Sequence, residues 1–457
     1  MGVITKTIKK AIIFVDIDDD EIPRYTYKEP HFDAARKMGL LCITAAINGR
    51  AHKNRLYNNS DLVVWFDQLE VVSLLNLIHN LQSQYQICAI FSYTGQASIH
   101  GQAGCVIAKV CEQLDLRHPT IEAINFCNNK FMMREVLLSN NIKSIRYSIC
   151  NDIDMLRNSS RLIGYPLIAK PPFGAGSAFI KKCENWEQLE QHYFDFMAQY
   201  QNTVALNFYG NEHTFLSLKG EEYNYIPGKS ILLESYIDGI EASVECVITD
   251  NEIHTVMIHE KLILEEKSNT ILENLLITPP VSFSNNQKEE IFKYTKTCLQ
   301  AIGLKNAIVH FEFRMTNEGP IVIEINPRLG GLYVNSGFRD LAELDPYSTY
   351  LKVLQGDEYI DLELKKSSQK AKIKKDNYSM MTFYPQKSGF LIDIEGLSCI
   401  ETNPDVIDFA RHPLNTYVDA NLEEHYLFKC WLRVNGKEQA ERSYKKYLSG
   451  FNPIILS

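Results

Sequence analysis

The 457-residue chain is defined first by what it lacks. No apolar run approaches the ~18 residues that a transmembrane helix needs, and mean hydropathy is −0.19, so no membrane association is expected. The short run Ala11–Val15 stops at Asp16 and falls short of the ~7–15-residue core of a signal peptide. There is no Cys-x-x-Cys among the 11 cysteines, whose number is odd. A disulfide framework is therefore not expected, and reduced, buried thiols in a cytoplasmic protein are. Positive charge is also short: 47 Lys+Arg against 56 Asp+Glu leaves a net charge of −9. A dedicated nucleic-acid binder needs clustered positive charge, so nucleic acid is not an expected partner. Internal repeats and low-complexity tracts are missing too.

What remains is a globular composition, 45% hydrophobic and 23% charged. At ~100–200 residues per domain this length implies two to four domains. The first part alternates strands and helices: Ala11–Val15, Leu40–Thr44, Leu62–Trp65 and Ile87–Phe91 read as strands. Helical periodicity covers Phe32–Gly39, Glu70–Gln84 and Gly104–Leu114. That alternation predicts a parallel sheet and an α/β fold class, with α+β parts further along. Gln201–Lys229 is polar and glycine-spotted and reads as an irregular insertion. The run Asp16, Asp18, Asp19, Asp20, Glu21 lacks the turn glycine and terminal glutamate of a calcium loop and reads as a solvated loop.

The most informative stretch is Ala307–Arg328. Two alternating runs flank Thr316-Asn-Glu-Gly319, predicting a β-hairpin. Centred near Glu318, it sets Glu312 opposite Glu324 and His310 opposite Asn326. Arg314 and Arg328 join that face, while Phe311, Phe313, Ile321, Ile323 and Ile325 take the other. Opposed carboxylates repel unless a cation lies between them. Glu312, Glu324 and Asn326 offer only oxygen ligands, which suits Mg²⁺ or Mn²⁺.

Two further elements stand out. Lys170 ends the apolar strand Tyr165–Ala169 and is followed by Phe173-Gly-Ala-Gly-Ser177. Glycines there let backbone N–H groups approach phosphate oxygens. No Gly-Lys-Ser/Thr closes this loop, so it is not a P-loop, and the protein-kinase signatures are missing. Lys130 opens a helix beginning Phe131-Met-Met-Arg134.

Together these pieces resemble the ATP-grasp superfamily of carboxylate–amine ligases, over roughly Asn129–Gly331. The most specific part is His310-Phe-Glu312 through Ile323-Glu-Ile-Asn-Pro-Arg328-Leu-Gly-Gly331. The resemblance implies an N-terminal parallel-sheet domain (1–145), a lid (146–233), a central antiparallel-sheet metal domain (234–385) and a small C-terminal subdomain (386–457). It implies ATP, and two Mg²⁺ ions held by Glu312, Glu324 and Asn326. Lys130 and Lys170 would contact phosphates, and Gly174, Gly176 and Ser177 would belong to a lid loop. Glu234, Ser235, Tyr236 and Ile237 would form the hinge whose backbone reads adenine, with Glu241 on the ribose.

Among these ligases the chain looks most like L-amino-acid ligases that make dipeptides. Arg328 would then hold an anionic substrate group, the N–H groups of Gly330 and Gly331 an oxyanion, and His259 would lie near an acyl phosphate; a structural histidine is the competing reading. Leu332 and Tyr333 would shape the amino-acid pocket. The expected partners are small carboxylic or amino acids and amines, and a homodimer is compatible with the sequence. A carboxylase or purine-pathway-like ligase, and a non-catalytic nucleotide binder, are the alternatives.

Overall fold

The computed structural model describes residues 8–16, 29–47, 60–92, 101–173, 179–199, 212–216, 218–267, 270–420 and 425–456. Strands β1 (Lys9–Asp16), β2 (Leu41–Ile47), β3 (Leu62–Phe66) and β4 (Tyr85–Ser92) form a parallel sheet in the order β3-β2-β1-β4. Six consecutive buried residues in β1 fit a strand covered on both faces. Helices α1 (Glu29–Lys37), α2 (Val71–Gln82) and α3 (Gly101–Gln113) accompany it. Asp16, the described member of the acidic run, is buried at the end of β1 rather than solvated.

Two capped helices follow, α4 (Ile121–Asn128) and α5 (Lys130–Ser139). The Thr120 and Asn129 side chains accept from the N–H groups of Ala123 and Met132, satisfying donors that a helix start leaves open. Asn129 thereby fixes Lys130 at the first position of α5.

The next unit holds β5 (Tyr147–Cys150), α6 (Ile153–Ile163), β6 (Leu167–Lys170), β7 (Lys181–Cys183) and α7 (Trp186–Gln199). It closes with β10 (Ile231–Ser235), in a sheet ordered β5-β10-β6-β7. Between them β8 (His213–Leu216) pairs antiparallel with β9 (Glu222–Tyr225). The insertion is thus not wholly irregular. Its short alternating runs are separated by a tight turn at Gly220, which takes a left-handed φ of 78°.

The central sheet contains β11 (Ile240–Ile248), β12 (Ile253–Glu266), β13 (Ile271–Thr278), β14 (Ala307–Thr316), β15 (Gly319–Asn326) and β16 (Asn377–Phe383). Beyond a three-stranded sheet of β17 (Gly389–Glu395), β19 (Thr416–Val418) and β21 (Asn452–Leu456), it gains β18 (Val406–Arg411) and β20 (Phe428–Val434). Its order is β15-β14-β11-β12-β13-β16-β20-β18, so strands after residue 386 extend it without a break. Helix α8 (Asn285–Ile302) begins with a capping box of Ser284 and Gln287 and ends at Gly303 in the left-handed region. Helices α9 (Ser336–Ala342), α10 (Pro346–Gln355), α11 (Ile360–Ile373), α12 (Ser398–Glu401) and α13 (Gly436–Gly450) complete the described set.

The two faces of this sheet differ. One carries Ala242, Val244, Phe311 and Phe313 and packs on Ile291, Phe292 and Leu299 of α8 and Met133 and Val136 of α5. The other begins apolar, with Val247, Met257 and Ile308 in the core shared with the parallel sheet. Moving along the strands it becomes polar, and there the candidate site lies.

The hairpin register is the predicted one: His310 faces Asn326 and Glu312 faces Glu324. The turn is centred between Asn317 and Glu318, and a bulge at Ile323 restores the register beyond it. The bulge corrects the face assignment. Val322, not Ile321 or Ile323, joins the apolar core opposite Phe313, while Ile321 stands opposite Arg314 on the polar face. A one-residue insertion reverses the alternation beyond it.

Candidate active site

The polar face is built from adjacent strands. Glu324, Glu312, Ser243 and His259 stand side by side on β15, β14, β11 and β12. One step away Arg314 faces Glu241, and on the other side His310 faces Glu245.

Its charges are heavily paired. Lys130 Nζ lies 2.8 Å from Glu324 Oε1. Lys261 Nζ, with its side chain 2% exposed, reaches Glu241 at 2.8 Å, Glu273 at 2.5 Å and Glu312 at 3.0 Å. Burial opposes the charge on Lys261, but the three carboxylates outweigh it and hold the ammonium well above its usual range. Burial likewise opposes ionisation of Glu312, yet Lys261 and His310 keep that carboxyl well below the usual range. Arg314 donates to Glu241 at 2.9 Å and to the Ile237 carbonyl at 2.7 Å.

Next along the same face from Glu312 lies a buried histidine–glutamate pair. His310 Nδ1 is 2.6 Å from the fully buried Glu245, and its Nε2 is 3.5 Å from Glu312. Burial disfavours the imidazolium, but Glu245 and Glu312 raise it to about 10. His259 is fully buried, neither ring nitrogen has a hydrogen-bond partner among the described residues, and burial holds it down to about 4. It faces Ser243 and packs under the start of α9, where a Cβ on Gly337 would lie 2.9 Å from its ring.

The remaining predicted residues divide. Lys170 Nζ is 2.6 Å from Glu234, whose other oxygen accepts from Arg134 at 2.8 Å. Arg134, fully buried, also donates to the carbonyls of Val322 and Ile323. Burial opposes the Glu234 charge, but Arg134 and Lys170 bring its pKa to about 2. Burial lowers Lys170 despite Glu234. At the end of β10, Ser235 and Tyr236 donate their N–H groups to the carbonyls of Arg146 and Pro166. The Tyr236 ring lies under Lys182 and Arg314. Arg328 is half-buried and donates to the Leu329 carbonyl at 3.0 Å. A Cβ on Gly330 would come within 2.9 Å of His310, so glycine is required there by close packing, whereas Gly331 has open space. Gly174, Gly176 and Ser177 lie outside the described residues.

Four participants escape a motif reading: Arg134, Glu245, Lys261 and Glu273. The first three had a signal. Arg134 is four residues after Lys130, on the same helix face. Glu245 continues the alternation Glu241, Ser243, and Lys261 follows His259 by two.

The donor set fits a hard divalent cation. Asn326 donates Nδ2–H to Glu312 at 3.2 Å, which leaves its Oδ1 for another partner. Glu312 and Glu324 side chains keep 17% and 20% exposure, so their oxygens are reachable. The Glu241, Glu273, Glu312 group also has metal-like spacing, but the Lys261 ammonium already contacts all three. An open cleft of about 290 Å³ lies beside it, lined by Tyr236, Glu241, Lys261, Arg314 and Lys437.

A four-stranded unit next to a carboxylate-bearing antiparallel sheet is the arrangement of the ATP-grasp fold. Residues 163–336 match the ATP-grasp domain family, and the chain carries that domain. It is 27% identical to an alanine–anticapsin ligase of Bacillus subtilis over 54% of this chain and 51% of that protein. The chain spans about half the length of the curated relatives it matches. Its fold matches an L-amino acid ligase from Bacillus licheniformis, with a TM-score of 0.73, 18% identity, and coverage of 98% of this chain and 100% of that one. It also matches a biotin carboxylase from Campylobacter jejuni, with a TM-score of 0.65, 14% identity and coverage of 98% and 93%. Among the described residues no helix is long and apolar enough to cross a membrane.

Proposed function

We propose that the protein is an ATP- and Mg²⁺-dependent carboxylate–amine ligase that joins two amino acids through an acyl phosphate, releasing ADP and phosphate. The observation that carries this reading is the register pair Glu312–Glu324 with Asn326 beside it, all on one face of a hairpin. The amino-acid-ligase likeness of both comparisons supports the substrate class.

A free carboxylate resists attack because oxide would have to leave. Its oxygen therefore attacks the γ-phosphorus of ATP, the bond to ADP breaks, and the acyl phosphate forms. The amine nitrogen then attacks the acyl carbon, the C–O bond to phosphate breaks, and the amine gives up a proton. Glu312, Glu324 and Asn326 would hold the divalent cation, which when bound supplies charge neutralisation on the transferring phosphoryl group. Lys130, now on Glu324, and Lys170, now on Glu234, would act as point charges once phosphate competes for them. Arg328 offers a planar fork to a carboxylate. Glu241, which lines the cleft together with Tyr236, would meet ribose hydroxyls.

Mass spectrometry of reactions holding ATP and mixed amino acids tests the reading. A dipeptide mass with stoichiometric ADP is expected. AMP in place of ADP, or ADP formation that needs bicarbonate and yields no peptide mass, would overturn it.

A further inference from the structure

Glu245 is fully buried on β11, and the residue directly opposite it on β14 is His310. Glu245 Oε1 lies 2.6 Å from His310 Nδ1 and accepts from Ser243 Oγ at 3.1 Å. Its Oε2 makes no hydrogen bond among the described residues. Two residues further along β14, Glu312 presents Oε1 to the other ring nitrogen, with Nε2 3.5 Å away. Each nitrogen of one imidazole thus faces a carboxylate oxygen, an arrangement that suits a ring donating on both sides. A ring with a single hydrogen would turn a lone pair on one of the two carboxylates.

Stability does not account for this pair. Taking two charges out of water costs about as much as their attraction returns, and apolar residues in their place are often as stable. Position accounts for it better. Glu312 would hold the divalent cation together with Glu324 and Asn326, and donors fix both of its oxygens. Lys261 donates to Oε2 at 3.0 Å, and Asn326 Nδ2 donates to Oε1 at 3.2 Å. The Asn326 amide belongs to the metal set itself, so His310 is the donor on Oε1 that does not also serve the cation. The ring cannot turn from Glu312 without leaving Glu245. Gly330 closes another side, since a Cβ there would lie 2.9 Å from Nδ1. Outer groups that hydrogen-bond a ligating carboxylate set its direction and its affinity for the metal.

We propose that Glu245 is a positioning residue for the divalent cation: it holds His310 by Nδ1, and His310 by Nε2 holds the Glu312 carboxylate in its ligating direction. The proposal rests on the metal set of the ligase reading and is independent of which acid and amine are joined. Glu245, with no exposed surface, acts only through the ring.

Electron paramagnetic resonance of Mn²⁺ tests it, with the full chain and a non-hydrolysable ATP analogue, so that the readout is binding and not turnover. Glu245→Gln keeps the shape of the side chain and removes its charge. It should weaken Mn²⁺ binding to the protein–nucleotide complex about tenfold and leave nucleotide binding in EDTA within about twofold. Mg²⁺-dependent ADP release should show the matching split, with about tenfold more Mg²⁺ needed for half-saturation and a maximal rate within about threefold. His310→Gln should cause the same loss, and the double variant no more than His310→Gln alone, because the two residues act as one unit. Unchanged Mn²⁺ affinity in Glu245→Gln, a double variant whose losses add, or equal weakening of metal-free nucleotide binding overturns the positioning role. Should Glu245→Gln fail to fold by near-UV circular dichroism, His310→Gln decides: about tenfold weaker Mn²⁺ binding upholds the role, and unchanged binding overturns it. A wild type that binds no Mn²⁺ with the analogue overturns the metal set and this role with it. A missing dipeptide with Mn²⁺ bound strikes only the joining reaction, and the same binding comparison then upholds or overturns the role.

Discussion

Lys261 governs the charge balance of the candidate site at the residue scale. Its ammonium serves Glu241, Glu273 and Glu312, which come from β11, β13 and β14. Removing one partner of a buried ionic group leaves uncompensated charge and costs about 3–5 kcal/mol. Lys261→Met should therefore lower unfolding stability by about that amount in a denaturant titration; a change under 1 kcal/mol would mean that solvent, not Lys261, balances these carboxylates. Glu324 behaves differently, because its partner Lys130 is expected to be redirected to phosphate. Glu324→Gln should leave the far-UV spectrum unchanged but cut Mg²⁺-dependent ADP release by orders of magnitude. Near-wild-type turnover across a Mg²⁺ titration would remove Glu324 from the metal set. The sequence revealed Glu312, Glu324 and Asn326 because a hairpin fixes their pairing locally. It hid Lys261 because a lysine in a strand reads as surface until three distant strands place carboxylates around it.

Elements are where local pattern and tertiary context divide. The hairpin register followed from alternation and turn chemistry, while the bulge at Ile323 left no mark in the residue pattern and turned Ile321 to the wrong face. The insertion at 201–229 hid β8 and β9 because glycine and polar residues obscured short strands. The joint between elements was equally hidden: Arg134 ties α5 to β10 through Glu234 and to β15 through the Val322 and Ile323 carbonyls. Arg134→Met should cost about 3–5 kcal/mol, since it leaves Glu234 with Lys170 alone and frees two buried carbonyls. The sign with pH follows. Glu234 is held at about 2, below its ordinary value, so its contribution is complete above about 4.5 and fades as pH falls through about 2. The stability gap between wild type and Arg134→Met should therefore narrow as pH falls from about 4.5 to about 2, leaving the pH-independent share of the two carbonyls; a constant gap down to pH 2 would deny the ion pair its role.

Across the whole molecule, buried histidines set the acid limit before any carboxylate does. Burial holds His192, His259 and His412 at about 4. The unfolded chain then binds more protons than the folded one between about pH 6.5 and 4, so stability falls as pH falls through that window. His310 has the opposite sign, but its window lies between about 6.5 and 10. The thermal midpoint should drop from pH 7 to pH 5, and a flat profile would mean that these rings are hydrated. The same scale decides what the C-terminal residues are for. The composition after Ser388 suggests a small appendage, and local pattern cannot show otherwise, because a strand does not reveal which sheet it enters. In the fold, β20 pairs with β16 along seven residues and carries Trp431 into the core of the parallel sheet and Phe428 into a second core with Leu275 and Phe383. A chain ending at residue 386 would expose the β16 edge and empty both cores, losing several large side chains at about 3–5 kcal/mol each. That exceeds the ~5–15 kcal/mol of an ordinary domain. The truncated protein should accordingly lack a cooperative thermal transition and be cleaved rapidly by protease in β11–β16 as well as near its new end. A monodisperse product with native near-UV circular dichroism would show instead that the central sheet stands without β18 and β20.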